Sequence, residues 1–166
     1  MRRMRYNVAA SLDGYIAGPN GEFDWIPEDP TVDLESLFAR IDTVIMGRGT
    51  FDTVLKNGGP TAWKEGTRVF VVSRTLSEHD HPGVTIVRED PARVAASLRA
   101  EEGTGEIWLF GGGVLFAELL AAGQVDSVEV TVVPIVLGGA KLTLASSHVY
   151  PSGMVALHYD VAGAAR

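Results

Sequence analysis

Three short segments carry glycines, an arginine or both, as binding an anion would require: "MGRGT" at 46–50, "SRT" at 73–75 and "GGG" at 111–113. Glycine loses the most backbone entropy on folding, so three in a row call for a physical reason. A backbone without side chains lets a ligand come close to it. Arg48 and Arg74 add permanent charge and a forked set of donors that matches phosphate oxygens. A helix that starts just past such a glycine offers unpaired N–H groups and a partial positive charge. Each signal alone has a plainer reading. A glycine triplet makes a tight turn, and an arginine after a strand is usually solvated. Their recurrence at three strand ends favours a ligand.

The surrounding elements follow from apolar periodicity. "RYNVAA" at 5–10 reads as a strand, and "DGYIAGPNGEFDW" as a loop rich in glycine, proline and asparagine. In "VDLESLFARI", Leu34, Leu37, Phe38 and Ile41 fall on one helical face. "DTVIMG" is a buried strand ending in glycine, with a helix expected from Thr50. "TRVFVVS" at 67–73 and "GVTIVRE" are further strands. Asp90 and Pro91 read as the cap and first residue of a helix through Glu101. "EIWLF" is the next strand, and Val114 to Ala122 the next helix, stopped by Gly123. "VDSVEVTVVPIVLGG" and "MVALHYDVA" are strand-like with no helix between them. Apolar strands alternating with helices predict an α/β fold with a mainly parallel sheet covered on both faces. Antiparallel strands are expected at the C-terminus, and 1–166 is expected to be one domain.

Composition narrows the chemistry. The 166 residues include no cysteine, which excludes disulfides, thiol nucleophiles and thiolate metal sites. A formal net charge of −7 argues against non-specific binding to nucleic acid or to an anionic membrane. No apolar run approaches a membrane span, and Asp13 and Gly14 interrupt any signal-like segment after "MRRMR", so the cytoplasm is the expected address. "EHDH" at 78–81 reads as a solvated turn, and His79, His81, His148 and His158 lack ligand spacing, so no metal site is expected. The glycines fit neither the G-x-G-x-x-G dinucleotide fingerprint nor the ATPase P-loop.

"NVAASLDGYIAG", "DTVIMGRGTFD", "VFVVSRTL", "IWLFGGGVLFAELL" and "VDSVEVTVVPIVLGG" together resemble the dihydrofolate reductase-like family, in the right order over nearly the whole chain. "SLDGYIA" and "PIVLGG" favour the branch typified by the reductase domain of bacterial riboflavin biosynthesis. The resemblance implies a three-layer α/β/α fold with a mixed, mainly parallel central sheet, NADPH as hydride donor, and a homodimer. It implies that Gly47, Arg48 and Thr50 line the pyrophosphate and adenosine phosphate. Ser73 and Arg74 would hold the 2′-phosphate. Gly111, Gly112 and Gly113, flanked by Phe110, Val114 and Leu115, would meet the pyrophosphate and nicotinamide region. Ala10 and Ile16 would flank the nicotinamide. It also implies a cis peptide within the glycine pair, which glycine would tolerate best.

Reduction of a C=N or C=O bond also needs a proton, and the candidates are acidic. Asp13 and Asp33 are the expected catalytic carboxylates, with Asp24 a third acid in the loop. Asp33 is equally a natural first-turn helix residue, and Asp13 a natural Asx turn with Gly14. Trp25 and Phe116 are the expected substrate contacts. The reading is an NADPH-dependent reductase of a small heterocycle, pterin-like or ribosylaminopyrimidine-like. Its rivals are a dinucleotide-binding protein without turnover and an α/β ligand-binding regulator.

Overall fold

The computed structural model describes residues 1–59, 63–137 and 142–161. Gly138 and Gly139 of the "PIVLGG" segment, and Ala162 of "MVALHYDVA", lie outside the described residues. The chain divides into two compact units, one formed by Met1–Val8 and Asp29–Glu129, the other by Ala9–Glu28 and Val130–Arg166.

The first unit carries the α/β repeat. Its elements are α1 (Leu34–Arg40), β2 (Ile41–Gly47), α2 (Arg48–Lys56), β3 (Arg68–Val72), β4 (Val84–Val87), α3 (Pro91–Ala100), β5 (Glu106–Leu109) and α4 (Gly113–Ala121). They follow β1 (Met4–Ser11) and precede β6 (Ser127–Val133). The sheet order is β4-β3-β2-β5-β1-β6, and β1 with β5, β5 with β2, β2 with β3 and β3 with β4 all pair in parallel.

Alternation along the strands sends side chains to two cores. Val44 and Met46 face Leu37 of α1 and Phe51 of α2, together with Val69, Val71 and Trp108. Ile45, Ile107 and Leu109 face Ala95 and Leu98 of α3 and Leu115 and Leu119 of α4. Strands buried on both faces explain why β2, β3 and β5 read as unbroken apolar runs. Helices α1 and α2 therefore cover one face, and α3 and α4 the other.

The second unit holds β7 (Leu142–Val149) and β8 (Val155–Val161), paired antiparallel from Leu142 with Val161 to Val149 with Val155. The antiparallel strands form their own two-stranded sheet instead of closing the central one. Strand β7 was not expected from the sequence. Its Ala145, Ser146, Ser147 and His148 are small or polar, and it is exposed along nearly its whole length. No helix among the described residues is long and apolar enough to cross a membrane.

Candidate functional site

Strand pairing brings the three segments together. Gly47 stands beside Val72, and Ile45 beside Leu109, so β3, β2 and β5 end side by side at one sheet edge. The chain leaves β2 toward β3 and β4, and leaves β5 toward β6 on the other side. Adjacent strands whose connections depart in opposite directions open a crevice beyond their carboxyl ends, which is where open α/β sheets bind ligands. Helix α2 starts on one face of that crevice and α4 on the other. The Gly47 N–H donates to the Gly111 carbonyl at 3.4 Å, and the Phe110 N–H to Ile45 at 2.9 Å, which ties the two turns together.

The helix starts here lack side-chain caps. Gly47 is the N-cap of α2 and Gly112 the N-cap of α4, and neither helix receives a capping side-chain hydrogen bond. Their first N–H groups and the positive ends of both dipoles meet the crevice. In the triplet, Gly111 has φ +124° and Gly112 φ +62°. A Cβ on Gly112 would meet the Thr50 hydroxyl at 3.5 Å, an ordinary contact. Gly111 and Gly112 are therefore demanded by backbone conformation and not by a clash within the chain. The implied cis peptide is absent: no described peptide bond is cis, and the bond from Gly111 to Gly112 is trans. The positive φ values make the turn that the cis bond was expected to make. Gly113 begins α4 with open space around its Cβ position, Val114 is exposed and Leu115 is buried in the core. Phe110 is half-buried, edge-on to Trp63 and Trp108.

The arginines separate by position. Toward the amino ends of the strands, Arg2, Arg5, Arg68 and Arg99 are paired with acids. Arg2 contacts Asp42 and Glu101, Arg68 contacts Glu101, Arg5 contacts Glu106 and Glu129, and Arg99 contacts Asp126. Burial, and then the neighbouring Arg68 charge, lower the Arg2 pKa, and Glu101 opposes them. At the carboxyl ends Arg74 is exposed and has no partner among the described residues. Arg48 gives its Nε to both Asp52 oxygens, at 2.9 and 3.0 Å, and its Nη1 to the Thr75 hydroxyl at 2.8 Å. The Ser73 hydroxyl is buried and accepts from the N–H groups of Thr75 (3.2 Å) and Leu76 (3.1 Å). It shapes the turn and keeps only its own proton to donate. Asp52 and Thr75 were missed in the sequence. The four-residue spacing from Arg48 to Asp52 was the available signal for the first.

Asp33 is the N-cap of α1, accepting from the Ser36 N–H at 2.9 Å. Hydrogen bonding to Ser36 holds its carboxyl below the ordinary carboxylate range. Phe116 lies on α4 and stacks on Tyr6 with centroids 4.0 Å apart, packed against the core. Asp13, Ala10, Ile16 and Trp25 belong to the second unit. There the Asp13 carboxylate accepts from the Leu137 N–H at 3.2 Å. The side-chain bond from Ser11, and then this backbone bond, lower its pKa. Ala10 is buried near the end of β1, and Ile16 is half-buried after the turn closed by Ser11 and Tyr15. The Trp25 indole donates to the Glu22 carbonyl at 3.1 Å. No cluster of three or more His, Cys, Asp or Glu among the described residues can hold a metal.

A parallel, doubly wound sheet with open glycine-capped helix starts at its switch point defines an α/β protein with an anion-receptive edge. A model of the RibD C-terminal domain matches residues 2–155, and the chain belongs to that reductase-like family. The uncharacterized protein YyaP of Bacillus subtilis (strain 168) is 30% identical over 95% of this chain and 94% of its own length. The riboflavin biosynthesis protein RibD of Mycobacterium tuberculosis (strain ATCC 25618 / H37Rv) is 29% identical over 81% of this chain, a match spanning 42% of that longer protein. Among solved structures, a putative riboflavin biosynthesis protein from Shewanella sp. PV-4 superposes with a TM-score of 0.67 at 29% identity, covering 97% of this chain and 99% of the other. A pyrimidine reductase-like protein from Corynebacterium diphtheriae shares the fold at 16% identity and a TM-score of 0.61, over 96% of this chain and 92% of that one.

Proposed function

We propose that the protein is an NADPH-dependent reductase of a small heterocycle, pterin-like or ribosylaminopyrimidine-like. The observation that carries this reading is the pair of uncapped helix starts at the switch point of the sheet, with Arg74, which has no partner among the described residues, just past the end of the neighbouring β3. The donor set fits a dinucleotide phosphate: glycine backbone for close approach, dipole ends for the pyrophosphate, and a free guanidinium for a phosphate monoester. NADPH, when bound, would supply the hydride. In this reading Gly47, Thr50 and Gly111 to Leu115 line the pyrophosphate, with Phe110 beside them. Arg74 and Arg48 hold the 2′-phosphate, to which Ser73 adds one hydroxyl donor.

Asp13 and Asp33 have depressed pKa values, so both are ionised near neutrality. An ionised carboxylate accepts a substrate N–H well and donates a proton poorly. A carboxylate in that state would orient a substrate, with solvent as the source of the proton. A second reading is a dinucleotide-binding protein without turnover, because each carboxylate already accepts a backbone N–H, from Leu137 and from Ser36. Calorimetry and turnover separate the two. The first reading expects NADPH to bind about tenfold or more tighter than NADH, and Arg74→Ala to narrow that gap with NADH binding nearly unchanged. It also expects oxidation of NADPH with at least one member of a pterin and aminopyrimidine panel. Binding without any turnover leaves the second reading, equal affinity for the two cofactors removes the first, and binding of neither cofactor removes both.

A homodimer completes the proposal. Val128, Val130 and Val132 share one side of β6 and are 47%, 51% and 42% exposed. A repeating apolar row on a strand invites a second copy. Sedimentation at micromolar concentration should give twice the chain mass of 17.7 kDa, and the single-chain mass would refute the dimer.

A further inference from the structure

We propose that Asp52 is a positioning residue for recognition of the cofactor's phosphate monoester, acting through Arg48 and, with Thr75, setting the preference for NADPH over NADH. The inference rests on the NADPH reading above and assigns a role to two residues which that reading does not use. Asp52 sits one turn into α2, and both its oxygens hold the Arg48 Nε, at 2.9 and 3.0 Å. Thr75, in the turn after β3, holds Nη1 at 2.8 Å. Thr75 is itself fixed, its N–H donating to the buried Ser73 hydroxyl at 3.2 Å. Arg48 is thus stretched between two neighbouring strand ends, with Nη2 as its one nitrogen lacking a contact among the described residues. An arginine held at two of its three nitrogens loses little further side-chain freedom when the third meets a phosphate. Arg74, without a partner among the described residues, must lose that freedom on binding.

The alternative is electrostatic. Asp52 brings a negative charge near an anionic ligand, and on that ground alone its removal would tighten binding. The surface is exposed, with Arg48 and Asp52 side chains 45% and 41% accessible, so solvent and salt screen that repulsion. Positioning is therefore the larger effect.

Equilibrium titration of the folded protein with NADPH and with NADH tests this, read as the ratio of the two dissociation constants. Asp52→Ala is expected to reduce the NADPH preference about fivefold and to leave NADH binding unchanged. Asp52→Glu should recover part of the preference. Thr75→Val removes the second hold without altering charge, and should reduce the preference about threefold. In an Arg48→Ala background neither substitution should change the ratio further. A preference that is unchanged or increased in Asp52→Ala, or unaffected in Thr75→Val, overturns the proposal while the NADPH reading stands. A wild-type protein that does not distinguish the cofactors overturns both.

Discussion

Helices α1 and α3 begin on aspartates, whereas α2 and α4 begin on glycines. The Asp33 carboxylate accepts from Ser36 and the Asp90 carboxylate from Ala92, both at 2.9 Å, so α1 and α3 satisfy part of their first turn internally. Gly47 and Gly112 offer no side chain to the first-turn N–H groups. Glycine caps nearly as well as threonine in stability terms, so the open pair costs the fold little. The open pair faces the crevice between β2 and β5. The difference teaches that the chain closes helix starts where only stability is at stake and leaves them available where a ligand can complete them.

The largest effect should come from closing the glycine turn. At φ +124° and +62°, an alanine at Gly111 or Gly112 is strained by about 1–3 kcal/mol. Either substitution should shift the turn and weaken NADPH binding by more than about tenfold, as calorimetry on the folded variant would show. Gly113→Ala, with an ordinary φ and open space, should bind like wild type. Equal tolerance at all three positions would erase the distinction.

A smaller effect sharpens the comparison by exchanging roles. Asp90→Ala should destabilise the fold by about 1 kcal/mol, lowering Tm by about 3 °C, with no change in cofactor affinity. Gly47→Ser should do the reverse. The site has φ −80° and an open Cβ position, so serine would cap α2 and add a few tenths of a kcal/mol, roughly. Its hydroxyl would also occupy the N–H groups a phosphate needs, and NADPH affinity should fall severalfold. Thermal melts and titrations of the same two variants check both halves.

The smallest effect is acid-side. Hydrogen bonds from Ser36 depress the Asp33 pKa below its unfolded value. Its stabilising contribution is therefore present above the unfolded pKa and is lost as pH falls through the folded one. Asp33→Asn should flatten the fall in urea-unfolding stability between neutral and acid pH. A pH profile identical to wild type would show that the cap does not titrate with folding.

Much of this was legible from residues alone, for identifiable reasons. Strands β2, β3 and β5 are buried on both faces and read as apolar runs. Asp90 and Pro91 marked the start of α3 by cap chemistry. The edge that gathers Gly47, Arg74 and Gly111 followed from placing those segments after parallel strands. Strand β7 escaped because Ser146, Ser147 and His148 carry no burial pattern. The trans bond at Gly111 escaped because an expected cis peptide and a pair of positive φ values make the same demand for glycine. Asp33 was legible as both a cap and an acid, and its bond from Ser36 shows the cap. The bracket of Asp52 and Thr75 on Arg48 depends on two turns brought together by strand pairing, which spacing does not encode.

The central claim is that the glycine-capped helix starts, and not the aspartate-capped ones, receive the anionic cofactor. Backbone amide NMR during a titration with NADPH tests it most directly. The account predicts large shifts at Gly49, Thr50, Val114 and Leu115, at the starts of α2 and α4, with little change at Ser36 and Ala92. Shifts concentrated at Ser36 and Ala92, or no shift at either pair, would contradict it.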